Sequence, residues 1–181
     1  MINIYTDGSC KKNPGPGGWA FYIVFCNDKG IFLHDLPNSS EFNGNSQNTT
    51  NNIMEITAII SAFQYIKNQK LWEKSKNITI YSDSNYVVKG FNEWSYSWQK
   101  NGRLNHQHKD PVKNIELWLN LLELKYFFNN LTKNNLLIWE LKWIKAHETI
   151  KSTDDIIIKQ HKKGNHEADA RANQAANYIK K

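Results

Sequence analysis

Apolar and polar positions alternate at the start of the chain: Ile2, Ile4 and Thr6 interleave with Asn3, Tyr5 and Asp7. That is the period-2 pattern of a strand rich in β-formers. The pattern breaks at Gly8 into a stretch holding Pro14, Gly15, Pro16, Gly17 and Gly18, which reads as a loop. Asp7 is therefore expected at the end of a central strand, followed by small residues that let another backbone come close. Residues 19–25 and 30–36 read as two further strands joined through Asn27-Asp28-Lys29-Gly30, a meander. Residues 37–52 are rich in Asn, Ser and Gly and predict a polar surface loop.

Helical spacing takes over at 52–68, where Ile56, Ile59, Ile60, Phe63 and Ile66 form one apolar face. Glu55 borders that stripe, a costly place for an acid unless positive charge meets it. Ile78, Ile80 and Ser82 alternate with Thr79 and Tyr81 in a strand ending at Asp83, and 84–93 reads as a helix. Again a carboxylate sits where a strand gives way to a helix, the edge of an α/β sheet where sites are built. Asp110-Pro111 predicts the next helix start, with Asp as N-cap and Pro in the first turn. Ile115, Leu119 and Leu122 give that helix its face. Residues 136–144 set Trp139, Leu141 and Trp143 against Glu140 and Lys142, a half-buried strand. His147 follows, then a long polar loop with Lys151, Lys159, Lys162 and Lys163. A last helix over 165–180 packs Ala168, Ala172, Ala175, Ala176 and Ile179, with Asp169 flanking that face. The element order predicts one α/β domain over 1–181, a mixed sheet covered on both faces.

Composition changes this picture little. The chain carries 23 Lys and Arg against 17 Asp and Glu, a net charge of +6, which modestly favours a polyanionic partner. Arg103 and Arg171 are its arginines, so the positive charge is mostly lysine, suited to phosphates more than to bidentate base reading. Cys10 and Cys26 make neither a zinc site nor a disulfide framework, and reduced thiols are expected. No apolar run approaches the length of a membrane span, and the first strand leaves no room for a signal peptide. A cytoplasmic monomer is the expectation.

Asp7, Glu55, Asp83 and Asp169 share one oddity: each lies at a strand end or beside a core-facing stripe. Gathered in one cleft they would repel, at roughly 4 kcal/mol per pair of charges about 4 Å apart in a dielectric of about 20. Divalent cations would remove that cost, and all-oxygen ligation favours Mg²⁺ or Mn²⁺ over zinc. Two such ions form a clamp for phosphodiester hydrolysis. On periodicity alone, four unrelated surface acids remain the alternative.

Four motifs bear on that choice: YTDGSCKKNPGPGGWA (5–20), TTNNIMEITAIISAF (49–63), IYSDSNYV (80–87) and WIKAHE…GNHEADARANQAA (143–176). In order and spacing they resemble ribonuclease H of type 1, over nearly the whole chain. The resemblance implies a ribonuclease H-like fold, a mixed five-stranded sheet with helices on both faces. It implies endonucleolytic cleavage of the RNA strand of RNA–DNA hybrids, leaving 5′-phosphate and 3′-hydroxyl ends. Two Mg²⁺ ions, with Mn²⁺ as a possible substitute, would be held by Asp7, Glu55, Asp83 and Asp169, with Asp7 as the bridging ligand. The family's catalytic histidine falls on His147. Ala146 replaces the usual glycine there, residues 148–163 look inserted, and His161 is a rival for the role.

Substrate contacts implied by the resemblance are Gly8, Ser9, Asn13, Thr50, Asn51, Asn52 and Asn85. Asn13 and Thr50 would be candidate contacts to DNA-strand phosphates, and Ile53 stands where many relatives carry arginine. Residues 94–113 resemble a basic protrusion that grips the hybrid, with Trp94, Trp98, Lys100, Arg103, Lys109 and Lys113 as contacts. A tryptophan pair packing that segment onto the domain is the competing reading. A non-catalytic hybrid-binding module is the alternative function, and the intact set of four acids argues against it. A domain working within a reverse transcriptase is a third, less favoured than a stand-alone enzyme because the chain begins at Met1 and shows no polymerase segment.

Overall fold

The computed structural model describes residues 1–36, 42–100 and 112–178. Its strands are β1 (Ile2–Cys10), β2 (Gly15–Cys26), β3 (Phe32–Asp35), β4 (Asn43–Thr49), β5 (Asn77–Ser82) and β6 (Ile138–Trp143). Its helices are α1 (Asn51–Asn68), α2 (Asn85–Lys89), α3 (Ser95–Lys100), α4 (Ile115–Lys133) and α5 (Ile156–Asn177). A wider π-type turn, Gly90–Trp94, runs from α2 straight into α3. The sheet has six strands in the order β3-β2-β1-β5-β6, with β4 also pairing β2. β1, β2, β3 and β4 are joined by antiparallel ladders, whereas β5 and β6 continue parallel to β1.

Strand alternation sends one set of side chains to each face. Ile2, Ile4, Ile78 and Ile80 meet Ile56, Ile59 and Phe63 of α1 and Trp118 and Phe128 of α4 in the main core. Tyr5, Tyr22, Val24 and Cys26 face the other way and pack on Ala168 of α5. Helices thus cover both faces, as the alternation of elements predicts.

Several boundaries depart from the sequence reading. β1 continues through Gly8 to Cys10, and the Gly/Pro stretch is the start of β2, because Gly17 and Gly18 pair with Cys10 and Ser9. The expected polar loop 37–52 contains β4, whose register runs from Gly15↔Thr49 to Ala20↔Asn43. Its polar side chains hide a strand held by backbone pairing to β2. The expected helix 84–93 extends on through α3, so residues 94–100 of the proposed protrusion are helical. α4 begins at Ile115 after Asn114 (φ 59°), and Asp110-Pro111 lies outside the described residues. The second half of the supposed loop 148–163 is the first two turns of α5, capped by Asp155, whose Oδ1 accepts from Ile158 N at 2.8 Å.

Candidate active site

Register brings the first two acids together. Thr6↔Ser82 is the last parallel pair of β1 and β5, so Asp7 and Asp83 each stand one residue beyond the shared ladder, side by side. β5 ends there because Ser84 caps α2, accepting from Val87 N at 3.5 Å. The Trp143 indole also anchors this corner, donating to the Asp83 carbonyl at 3.0 Å. Glu55 arrives on the first turns of α1, whose N-cap Thr50 accepts from Ile53 N at 3.3 Å. The approach of α1 to β1 depends on Gly8: a Cβ there would lie 2.3 Å from Glu55 N. The same contact lets the Gly8 N–H serve the carboxylates of Asp7 and Glu55. Asp169 comes on α5, seated by its alanine face. A Cβ on Gly18 of β2 would meet the Ala172 carbonyl oxygen at 2.3 Å, so only glycine lets the helix lie this close to the sheet.

One carboxylate oxygen from each of Asp7, Glu55 and Asp83 lies within 4.8 Å of the others. Asp169 is outside that group of three but lines the same cleft, a cavity of about 470 Å³ that Ser9, Ser84 and His147 also border. Asp7 and Glu55 are 6% and 5% exposed, so the charged forms are poorly solvated. Burial, then the charges of Asp83 and Asp169, push the Asp7 carboxyl up to about 8. Burial and the charge of Asp7 raise Glu55 well above the ordinary range. Asp83 is raised by burial, and partly relieved by a hydrogen bond from Asn165 Nδ2 at 3.3 Å and by His147. Buried acids that hold each other's protons on need a cation to ionise together. Glu55 Oε2 is buried with no hydrogen-bond partner. An all-carboxylate set with an open ligand atom suits a hard divalent ion.

The structure distributes the other sequence candidates unevenly. Ser9, Gly8, Asn51 and His147 border the cleft with the acids. His147 is exposed at φ 51°, at the open side next to Asp83. Asn51 Nδ2 donates to Glu55 Oε1 at 3.4 Å, and Asn13 Oδ1 accepts from Asn51 N at 3.1 Å, tying the 11–14 turn to α1. Thr50 is the cap of α1, while Asn52 and Asn85 are exposed at the starts of α1 and α2. Trp98 is corrected: it is buried edge-on against Trp118 at 4.9 Å, which gives it to the core instead of a nucleic-acid surface. Trp94 is half-buried between Tyr86 and Trp98. Lys113 is exposed; Arg103 and Lys109, like the Lys100 side chain, lie outside the described residues. His161 is no rival in the cleft. It faces the α5 side of the sheet, its Nδ1 at 2.9 Å from the Tyr5 hydroxyl, and burial holds its imidazole below the ordinary value.

Two site residues escaped the sequence reading. Asn165 and Asn173 flank Asp169 at four-residue spacing on α5, and each bonds an acid of the cleft. The Asn-x₃-Asp-x₃-Asn stripe was the available signal, since residues four apart share a helix face.

Comparison with known proteins places this geometry. A family model described as RNase H matches residues 1–177. The Ribonuclease H of Ehrlichia canis (strain Jake) is 41% identical over 146 residues, spanning 81% of this chain and 82% of that protein. The solution structure of the PFV RNase H domain superposes with a TM-score of 0.65 at 22% identity, covering 97% of this chain and 94% of that one. The crystal structure of LC11-RNase H1 in complex with an RNA/DNA hybrid does so at 0.52 and 20%, covering 98% and 97%. At those identities the two structures speak for the fold.

Proposed function

The chain belongs to the ribonuclease H family, and on that premise we propose that it hydrolyses the RNA strand of RNA–DNA hybrids at the Asp7–Glu55–Asp83–Asp169 cleft. The observation that carries this reading is the meeting of Asp7, Glu55 and Asp83 within 4.8 Å, where the β1–β5 ladder ends beside the first turns of α1. Membership of that family supports the substrate class. So does the set of small polar groups at the rim, suited to a shallow minor groove where 2′-hydroxyls mark RNA.

Asp7, Glu55, Asp83 and Asp169 would hold two divalent ions. Mg²⁺, or Mn²⁺ in its place, supplies Lewis-acid polarisation of the scissile phosphate and the attacking water when bound. The chain's own part is to gather the four carboxylates, orient them and shield them partly from solvent. Asn165 holds one oxygen of Asp83 and Asn51 one oxygen of Glu55, which leaves the remaining oxygens free for ligation. Water attacks phosphorus, the bond to the 3′ oxygen breaks, and a 5′-phosphate and a 3′-hydroxyl remain. His147, exposed next to Asp83, would give an imidazolium proton to the leaving 3′ oxygen and regain one from solvent, which also takes the proton released by the attacking water. The exposed Lys12, two residues after Cys10, and Lys145, next to Ala146, would meet phosphates, and Asn13, Thr50, Asn52 and Asn85 would touch the strands. No helix among the described residues is long and apolar enough to cross a membrane. Action as a monomer in the cytoplasm completes the proposal.

Cleavage of a labelled hybrid in Mg²⁺, beside single-stranded RNA, duplex RNA and an Asp83→Asn control, tests it. Cutting of the hybrid's RNA strand alone, lost in the variant while binding persists, is the expected result. Tight binding with no cutting in Mg²⁺ or Mn²⁺ would refute the enzyme and favour a hybrid-binding module.

A further inference from the structure

Asn173 bridges two parts of the cleft that the reaction uses separately. Its side-chain nitrogen donates to Asp169 Oδ1 at 2.9 Å and to the Asp169 carbonyl at 3.0 Å, and its side-chain oxygen accepts the Ser9 hydroxyl proton at 2.7 Å. These bonds dictate one another. A carboxylate only accepts, so the amide must turn its nitrogen to Asp169 and its oxygen to Ser9. The Ser9 hydroxyl has then given its only proton to Asn173 and offers the cleft lone pairs alone.

We propose that Asn173 is a positioning residue that makes Ser9 an obligate acceptor, so that this corner of the cleft favours a strand carrying a hydroxyl donor. The proposal rests on the reading that the cleft binds an RNA–DNA hybrid. Phosphate oxygens and deoxyribose present no donor along a backbone, whereas the ribose 2′-hydroxyl does. A serine free to rotate would donate to a phosphate as readily as it accepts from a sugar. With its proton committed to Asn173 it accepts. Asp169 sets the direction of the whole chain of bonds, which couples an acid of the cleft to the choice of sugar. The spacing on α5 makes this possible: Asp169 and Asn173 share a face, and Gly18 brings that face down onto β2 one pairing step from Ser9.

The test is hybrid preference in EDTA, the ratio of affinities for an RNA–DNA hybrid and a DNA duplex of equal sequence. It is measured for the parent, Ser9→Ala, Asn173→Ala, Asn173→Asp and the Ser9→Ala/Asn173→Ala pair. Loss of one neutral hydrogen bond corresponds to about a five- to tenfold drop in that ratio. Ser9→Ala and Asn173→Ala are each expected to show it, and the double variant no more than either single, because both substitutions cut the same chain. Asn173→Asp still offers an oxygen to the Ser9 hydroxyl proton while giving up the bond to Asp169, and is expected to retain more of the preference than Asn173→Ala. A folded Asn173→Ala with full hybrid preference, or losses that add in the double variant, would overturn the proposal. A merely structural role would change the unfolding midpoint and leave the ratio alone. A parent protein with no hybrid preference would instead refute the substrate reading, in a measurement that involves no variant.

Discussion

Neutralising Asp7 should stabilise the metal-free protein while destroying its activity. The Asp7 carboxyl titrates at about 8 in the folded chain against an ordinary 3.8, because it is buried and faces Asp83 and Asp169. A raised folded-state pKa means that folding favours the protonated acid. That contribution is complete below about pH 4 and is lost as pH rises through about 8. At pH 7 about three pKa units of this penalty are expressed, at 1.36 kcal/mol each, or about 4 kcal/mol. With Asp7 6% exposed, solvent screens little of it. Asn matches the shape of Asp without charge but gives up the proton-mediated bond to Asp83, worth about 1 kcal/mol, leaving a net gain of about 3 kcal/mol. Urea unfolding in EDTA should therefore move to a higher midpoint in Asp7→Asn by roughly 1–2 M at pH 7. The difference should shrink toward zero near pH 4 to 5. Saturating Mg²⁺ should close much of the gap by stabilising the parent more than the variant. A variant no more stable than the parent at pH 7, or a difference indifferent to pH between 4 and 8, would refute the reasoning.

The remaining expectations concern packing and substrate. Gly18→Ala should cost about 1–3 kcal/mol in urea unfolding, and cleavage should fall with it, because the added methyl forces α5 and Asp169 away from the sheet. Lys125→Met should cost about 1–3 kcal/mol by the same measurement, since the ammonium donates to the Phe91 carbonyl at 2.6 Å inside the π-type turn and lies over the Phe91 ring. The logarithm of hybrid affinity should fall linearly with log salt, as phosphate neutralisation requires; a flat response across a salt titration would contradict phosphate contacts by lysine.

Periodicity alone exposes much of this molecule. The Ile2/Ile4 alternation, the Ile56–Ile66 stripe and the alanine face of α5 can be read from the chain because each is a local pattern with one physical period. Asp7, Glu55, Asp83 and Asp169 stand out for the same reason, as charges breaking apolar patterns. β4 could not be read that way: its residues 43–49 are polar, and what makes them a strand is the open edge of β2 beside them. The early start of α5 was masked by exposed Ile156, Ile157 and Ile158 followed by a lysine-rich stretch, although Asp155 carried a cap signal. Trp98 reads from sequence as a candidate contact, and only the Trp118 ring across from it decides that it is core. The sequence by itself determined which side chains are the candidates for the chemistry and the helix or strand that each belongs to or adjoins. Tertiary structure decided that residues 7, 55, 83 and 169 meet, because that depends on register between β1 and β5 and on Gly8 and Gly18 admitting α1 and α5. It also decided that Asn165 and Asn173 serve the acids, since a hydrogen bond needs an angle and a distance that no spacing along the chain specifies.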